Sequence, residues 1–314
     1  MDVHARLKAI LNSPSYVLPE EDTELLKRPE MRPVRMQLEL QKPESFLRRE
    51  DIHSTVVVFG GTQIFERPVA EQRLADAKAD LAKRPADETR KRLVAVAERM
   101  LAKSRFYDDA REFARIVSTE CQQKETGEYV IVTGGGPGIM EAANRGAYDA
   151  GAKSIGFNIT LPEEQTPNPY ITPELCFQFH YFALRKMHFL LRAKAVVLFP
   201  GGFGTLDELF DALTLRQTHR MQVIPIILFG EAYWRQVIGF DFLADEGVIA
   251  DAHLELFQFA ETPEHAWRMI KKFHGGLREL PGGRATGPRT DAQEDDRRYG
   301  PDRIVVNGGQ NGNA

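Results

Sequence analysis

The sequence predicts a doubly wound α/β protein: a parallel, Rossmann-like sheet covered on both faces, with an N-terminal arm and an inserted helical segment. Three observations predict it. Short β-branched runs such as Ser54-Thr-Val-Val-Val-Phe59 alternate with longer amphipathic stretches, the order that right-handed βαβ units require. Two such runs end in glycine clusters leading directly into a helix, Gly134-Gly-Gly-Pro-Gly138 and Gly201-Gly-Phe-Gly204. A 42 % apolar content in 314 residues is ample for one large core.

Residues 1–50 are charged and interrupted by Pro14, Pro19, Pro29, Pro33 and Pro43, so they are expected to form no long regular element and to act as an extension. Leu7, Ile10, Leu11, Leu25 and Leu26 are its apolar residues, available to pack on the main domain or on a second subunit. Ser54 to Phe59 is the first strand and stops at Gly60-Gly61. Residues 66–105 read as an inserted helical excursion, with Leu93, Val96, Ala97 and Met100 at helical spacing. A further helix lies near Tyr107 to Gln123.

Regular alternation follows: strand Tyr129 to Thr133, helix Gly138 to Ala150, strands Ser154 to Asn158 and Leu175 to Phe179, and helix Tyr181 to Arg192. Strand Ala195 to Phe199, helix Thr205 to His219, strand Val223 to Leu228, helix Ala232 to Ile238, strand Leu256 to Phe259 and helix Pro263 to Phe273 complete it. Residues 51–280 thus form one domain containing the insertion. Residues 281–314, rich in Gly, Pro, Asn and charge, are expected to be a disordered tail.

The 41 basic and 45 acidic residues give a net charge of −4, which argues against a nucleic-acid or anionic-membrane partner and requires an anionic ligand to be gripped locally. Cys121 and Cys176 form no CxxC pair or metal-spaced cluster. With no leader-like apolar region and no span of roughly 18 apolar residues, the reading is a cytoplasmic protein in a reduced compartment.

The glycine loops carry the chemistry. Gly134, Gly135, Gly136 and Gly138 follow a buried strand and open a helix, whose unpaired N–H groups and positive dipole end suit a phosphate or ribose. A bare tight turn is the structural alternative. Gly201, Gly202, Gly204 and Thr205 repeat the logic. Neither loop closes with Lys-Ser or Lys-Thr, which disfavours a P-loop triphosphatase. The GxGxxG-like spacing breaks at Ile139 and Ser154 to Asn158 offers no acidic residue for a ribose, which disfavours an NAD-dependent oxidoreductase. Thr205-Leu-Asp-Glu208 spells a capping box, yet the same spacing sets the Glu208 carboxylate within one turn of the second loop. Arg185 and Lys186 open an otherwise apolar helix, where two cations can bind a ligand or snorkel to solvent. His188 and His219 read as structural or surface histidines.

Thr133-Gly-Gly-Gly-Pro-Gly-Ile-Met-Glu-Ala-Ala-Asn144, Arg185-Lys186 and Pro200-Gly-Gly-Phe-Gly-Thr-Leu-Asp-Glu208 resemble the signature of the LONELY GUY family, also labelled lysine decarboxylase-like. The resemblance covers about residues 54–275, and Asn158 to Tyr170 (NITLPEEQTPNPY) and Leu215 to Thr218 (LRQT) are similar to its longer bacterial branch. It implies a phosphoribohydrolase that cleaves AMP-like or cytokinin riboside 5′-monophosphates to free base and ribose 5-phosphate. By motif position Arg185 and Glu208 correspond to the catalytic pair, and Gly201, Gly202, Gly204 and Thr205 to the phosphate loop. Gly134, Gly135, Gly136, Gly138, Met140, Glu141 and Lys186 correspond to further substrate contacts. The resemblance implies no cofactor, and a homodimer or larger assembly of dimers. Two features depart from the family: Gly60-Gly61-Thr62-Gln63 replaces the usual Gly-Ser pair, and the insertion at 66–105 is longer. The alternative function is a non-catalytic carrier of a nucleotide or of molybdenum cofactor.

Overall fold

The computed structural model describes residues 2–122, 127–161 and 166–275; the expected tail lies outside them. Three helices, α1 (Val3–Leu11), α2 (Thr23–Lys27) and α3 (Arg32–Arg49), precede β1 (Thr55–Phe59). Then come α4 (Arg67–Lys83), α5 (Glu88–Lys103), α6 (Arg105–Gln122), β2 (Val130–Thr133), α7 (Ile139–Asp149), β3 (Ser154–Ile159) and β4 (Cys176–Phe179). The chain continues through α8 (Phe182–Leu191), β5 (Ala193–Leu198), α9 (Phe203–Gln217), β6 (Ile226–Phe229), α10 (Glu231–Val237), α11 (Phe240–Asp245), β7 (Gln258–Ala260) and α12 (Pro263–Phe273).

The seven strands form one parallel sheet in the order β4-β3-β2-β1-β5-β6-β7. In β1 Val57 pairs with Val132 of β2 on one side and with Val196 of β5 on the other. All five β1 residues and all four β2 residues are buried, which explains why they read as continuous apolar runs. Alternate side chains enter opposite layers. Val56 and Val58 pack with Phe113, Val117 and Trp267 of α6 and α12, whereas Val57 and Phe59 pack with Phe189, Leu209 and Trp234 of α8, α9 and α10. Successive connections therefore cover both faces, and the winding direction reverses between β1 and β5. Crevices at such a reversal, outside the carboxyl ends of the strands, are where this architecture binds ligands.

The extension departs from expectation. α3 is 18 residues long with Pro43 inside it. Pro33 sits in the first turn, where no N–H is required. The bond lost at Pro43 is offset by packing: Pro43 and Leu47 are buried, and Phe46 meets Phe177 edge-on at 5.9 Å. Glu39 accepts the His180 and Tyr181 N–H groups at 2.8 and 3.1 Å, and Glu44 pairs with Arg192 through two oxygens. α1 by contrast buries no residue.

Within the insertion α4 and α5 pack on each other as a helical hairpin. Asp87 caps α5 by accepting the Arg90 N–H at 3.2 Å. Of the spaced apolar residues, Ala97 and Met100 are half-buried, while Leu93 and Val96 are exposed, so the hairpin lies largely outside the core. α11 and the 3-10 turn Asp251–Leu256 are additions to the predicted elements. Both are short, and they are held by tertiary contacts such as Phe240 against Phe257 at 4.3 Å.

Candidate functional site

The loops that follow β1, β2 and β5 meet at the reversal point. Gly61 donates its N–H to the Pro200 carbonyl at 2.9 Å, and its own carbonyl accepts the Ile139 N–H at 3.2 Å. Approach this close excludes side chains. A Cβ on Gly138, whose φ is +73°, would lie 2.4 Å from the Gly61 oxygen, and one on Gly201 would lie 2.1 Å from Thr205 Oγ1. The Gly60-Gly61 turn is thus the hub joining both glycine loops.

α9 begins at Phe203 with Gly202 as its N-cap and no side-chain cap. The predicted capping box does not form. Thr205 lies inside the first turn, buried, and the first intrahelical bond runs from Leu206 N–H to the Gly202 carbonyl. The N–H groups of Phe203, Gly204 and Thr205 consequently have no helical acceptor. Added Cβ atoms on Gly202 and Gly204 would meet nothing within 4 Å, so this end of the helix is open to a ligand, and Phe203 beside it is 92 % exposed. From α10 the Tyr233 hydroxyl donates to the Gly201 carbonyl and fixes the loop from behind.

Arg185 projects from the start of α8 across to the first loop. Its Nε donates to the Phe157 carbonyl at 2.7 Å, and its guanidinium lies over the Phe189 ring at 5.2 Å. Its Nη2 and the Met140 sulfur lie 2.5 and 2.8 Å from where a Cβ of Gly134 would be. Burial lowers the Arg185 pKa, against the pull of Glu208. Glu208 has no hydrogen bond or ion pair among the described residues. Burial lifts its pKa from 4.5 to about 7, outweighing the attraction of Arg185 and Lys186, with Asp207 and Asp211 adding to the lift. Lys186 turns to α9, 2.8 Å from Asp207 and 4.0 Å from Asp211; burial works against its charge, but these carboxylates raise its pKa overall.

In the first loop, Gly135 donates its N–H to Thr133 Oγ1 at 2.9 Å, and that hydroxyl donates to Asn144 Oδ1 at 2.7 Å. Asn158 packs over Gly135, its amide about where a Cβ would be. Glu141 is held toward α6, where the Tyr107 hydroxyl donates to it at 2.9 Å. Arg145 donates to that same hydroxyl at 3.4 Å and to Glu66 at 3.1 Å. The structure therefore groups Gly134, Met140 and Arg185 at one wall and Gly201 to Thr205 at the other, and it ties Glu141 and Lys186 to neighbouring carboxylate or hydroxyl partners. His188 is buried against Phe157 and Phe179 at 5.8 and 5.3 Å, away from the loops. Asn144 and Asn168 lie within the quoted motifs but were given no role there, and Tyr107 and Tyr233 were not singled out.

Residues 140–270 match the family described as "Possible lysine decarboxylase". A cytokinin riboside 5′-monophosphate phosphoribohydrolase of Arabidopsis thaliana is 24 % identical over 147 residues, covering 46 % of this chain and 67 % of the relative. A pyrimidine/purine nucleotide 5′-monophosphate nucleosidase of Escherichia coli is 31 % identical over 128 residues, covering 38 % of this chain; the match spans 27 % of that longer protein. Among solved structures, the molybdenum cofactor binding protein of Rippkaea orientalis aligns with 18 % identity and a TM-score of 0.41, over 70 % of this chain and 97 % of that one. The molybdenum cofactor carrier protein of Chlamydomonas reinhardtii aligns with 18 % identity and a TM-score of 0.41, over 71 % and 98 %.

Proposed function

We propose that this chain is a member of the LONELY GUY family, a reading supported by the matched family model and the phosphoribohydrolase relatives, and that it hydrolyses the N-glycosidic bond of AMP-like or cytokinin riboside 5′-monophosphates to free base and ribose 5-phosphate. The observation that carries the reading is Glu208: an unpaired carboxyl, lifted by burial to titrate at about 7, on the second turn of a helix whose first turn offers open N–H groups. Those groups suit a dianionic phosphate. Thr205 to Glu208 is a rise of about 4.5 Å along the helix, which brings the carboxyl toward the sugar of a nucleotide anchored by its phosphate.

As the C1′–N bond lengthens, its electron pair leaves with the base and positive charge grows on the ribose. The Glu208 carboxylate opposes that charge and accepts a proton from the water whose oxygen bonds to C1′. Net, the hydroxyl of water ends on C1′ and its other proton on the base. Arg185 opposes the lift that burial gives Glu208, keeping an ionised fraction at neutral pH. Phosphate binding at a distance holds C1′ in place, so remote binding energy is converted into rate. Pyridoxal phosphate chemistry is not proposed, because the Lys186 ammonium is engaged in an ion pair with Asp207 at 2.8 Å, where a Schiff-base lysine has to be a free amine.

The proposal places the enzyme in the cytoplasm as a homodimer or an assembly of dimers, which the exposed Phe182, Met187, Phe203 and Phe210 beside the site support. Among the described residues no helix is long and apolar enough to cross a membrane. The test is incubation with a panel of nucleoside monophosphates, following free base and ribose 5-phosphate. Release of base supports the reading; a nucleotide that binds and is never hydrolysed replaces it with a carrier.

A further inference from the structure

The NPY segment at 168–170 is the part of the sequence signature to which the proposed reaction assigns no task. Asn168 is 6 % exposed and Asn144 fully buried. The Asn168 backbone N–H donates to the Gly135 carbonyl at 2.9 Å. Its side-chain amide donates to the Gly136 carbonyl at 3.1 Å and to Asn144 Oδ1 at 3.0 Å, and its Oδ1 accepts the Tyr170 N–H at 3.2 Å. Both amide hydrogens are thereby used. Asn144 carries the chain onward to Ser154 Oγ at 3.0 Å, so the relay is rooted in β3.

A trans peptide points its carbonyl and the following N–H in opposite directions. The Asn168 side chain, bonded to the Gly136 carbonyl and to Asn144, keeps its own backbone N–H against the Gly135 oxygen, and holding that oxygen there turns the Gly136 N–H the other way. Gly136 is buried, and among the described residues its N–H has no acceptor. A buried donor without a partner is costly, and a ligand oxygen or nitrogen at the loop removes that cost. We propose that Asn168 is a positioning residue that presents the Gly136 N–H as a hydrogen-bond donor to an acceptor atom on the nucleoside part of the substrate. The inference rests on the nucleotide reading above and assigns the first loop a recognition role separate from that of the phosphate loop.

The test uses the full chain and two variants, Asn168→Asp and Asn168→Ala. Asp is nearly isosteric but replaces both donors with a carboxylate facing the Gly136 and Asn144 oxygens; Ala removes them without adding charge. Calorimetric affinity for AMP and for inorganic phosphate is measured alongside KM, kcat and thermal melting. The expected result is AMP affinity and KM worsened by at least about tenfold in both variants, with phosphate affinity kept within about twofold because that site is separate. Unchanged AMP affinity in a folded variant overturns the proposal, as does an equal loss for AMP and phosphate. If the parent binds AMP without hydrolysing it, the reaction is wrong while the binding ratio still decides the role of Asn168. A parent that binds no nucleoside monophosphate overturns both.

Discussion

Replacing Glu208 by Gln removes a charge while keeping size and shape, and its effect on stability has a defined sign. The carboxyl titrates at about 7 in the fold against 4.5 ordinarily, so the fold holds a proton that the unfolded chain releases. Its favourable contribution is complete below pH 4.5 and is lost as pH rises through about 7. At 1.36 kcal/mol per pKa unit the ceiling is about 3 kcal/mol, and residual solvent access reduces it to roughly 1–2 kcal/mol. Gln mimics the protonated acid at every pH. The variant is therefore expected to match the parent near pH 4.5 and to melt roughly 3–6 °C higher above pH 7, while kcat falls at least about a hundredfold for want of the counter-charge. Melting curves from pH 4.5 to 8.5, with turnover of AMP at each pH, provide the assay, and parent kcat/KM should rise with its midpoint near pH 7 and level off about one unit higher. A melting difference that does not vary with pH refutes the burial argument. Near-normal turnover in the folded variant refutes the catalytic one.

Backbone N–H groups at the start of α9 recognise a phosphate far better than a neutral hydroxyl, so AMP should exceed adenosine in kcat/KM by about a thousandfold, roughly 4 kcal/mol. Gly202→Asp, which meets no steric obstacle, should erase most of that ratio, and equal parent efficiencies for the two substrates would reduce the loop to a turn. Gly138→Ala puts a Cβ 2.4 Å from the Gly61 oxygen at a φ of +73° and should cost about 2–4 kcal/mol in denaturant unfolding; a neutral effect would show that the three loops are not tightly joined. For Glu44, burial pushes the pKa up, but the His188 ring 3.6 Å away and the hydrogen-bonded Arg192 guanidinium take it below 4.5 to about 2. Glu44→Gln should then cost about 1–3 kcal/mol at pH 7, with the difference shrinking as pH falls below 4.5 toward 2. Equal losses at pH 7 and pH 3 would contradict this.

The strands were legible because residues buried on both faces must be apolar throughout, and Val56 to Phe59 and Val130 to Val132 satisfy that in any register. Pro43 misled because helix-breaking is a local cost, while the packing of Phe46 and Leu47 that outweighs it is tertiary. The Thr205–Glu208 spacing was legible as a cap, but α9 already starts at Phe203 behind the Gly202 N-cap, which moves both residues three positions inward. Arg185 and Glu208 could be named from motif position; that burial leaves Glu208 without a hydrogen-bond partner could not. Asn168 and Tyr233 carry no periodic signal at all, since each acts on a loop distant in sequence.

The contacts of α3 have a consequence for where this chain can be cut. Glu39 holds the amides that lead into α8, and Glu44 grips Arg192 just beyond its end, so a segment outside the sheet clamps both termini of the helix that carries Arg185. A chain begun at residue 51 would keep all seven strands and both glycine loops. It would also free α8, which brings the Arg185 guanidinium to the first loop. Such a fragment should fold and still bind phosphate, yet lose turnover out of proportion to its loss of stability, because the splint that aligns α8 lies in the part removed.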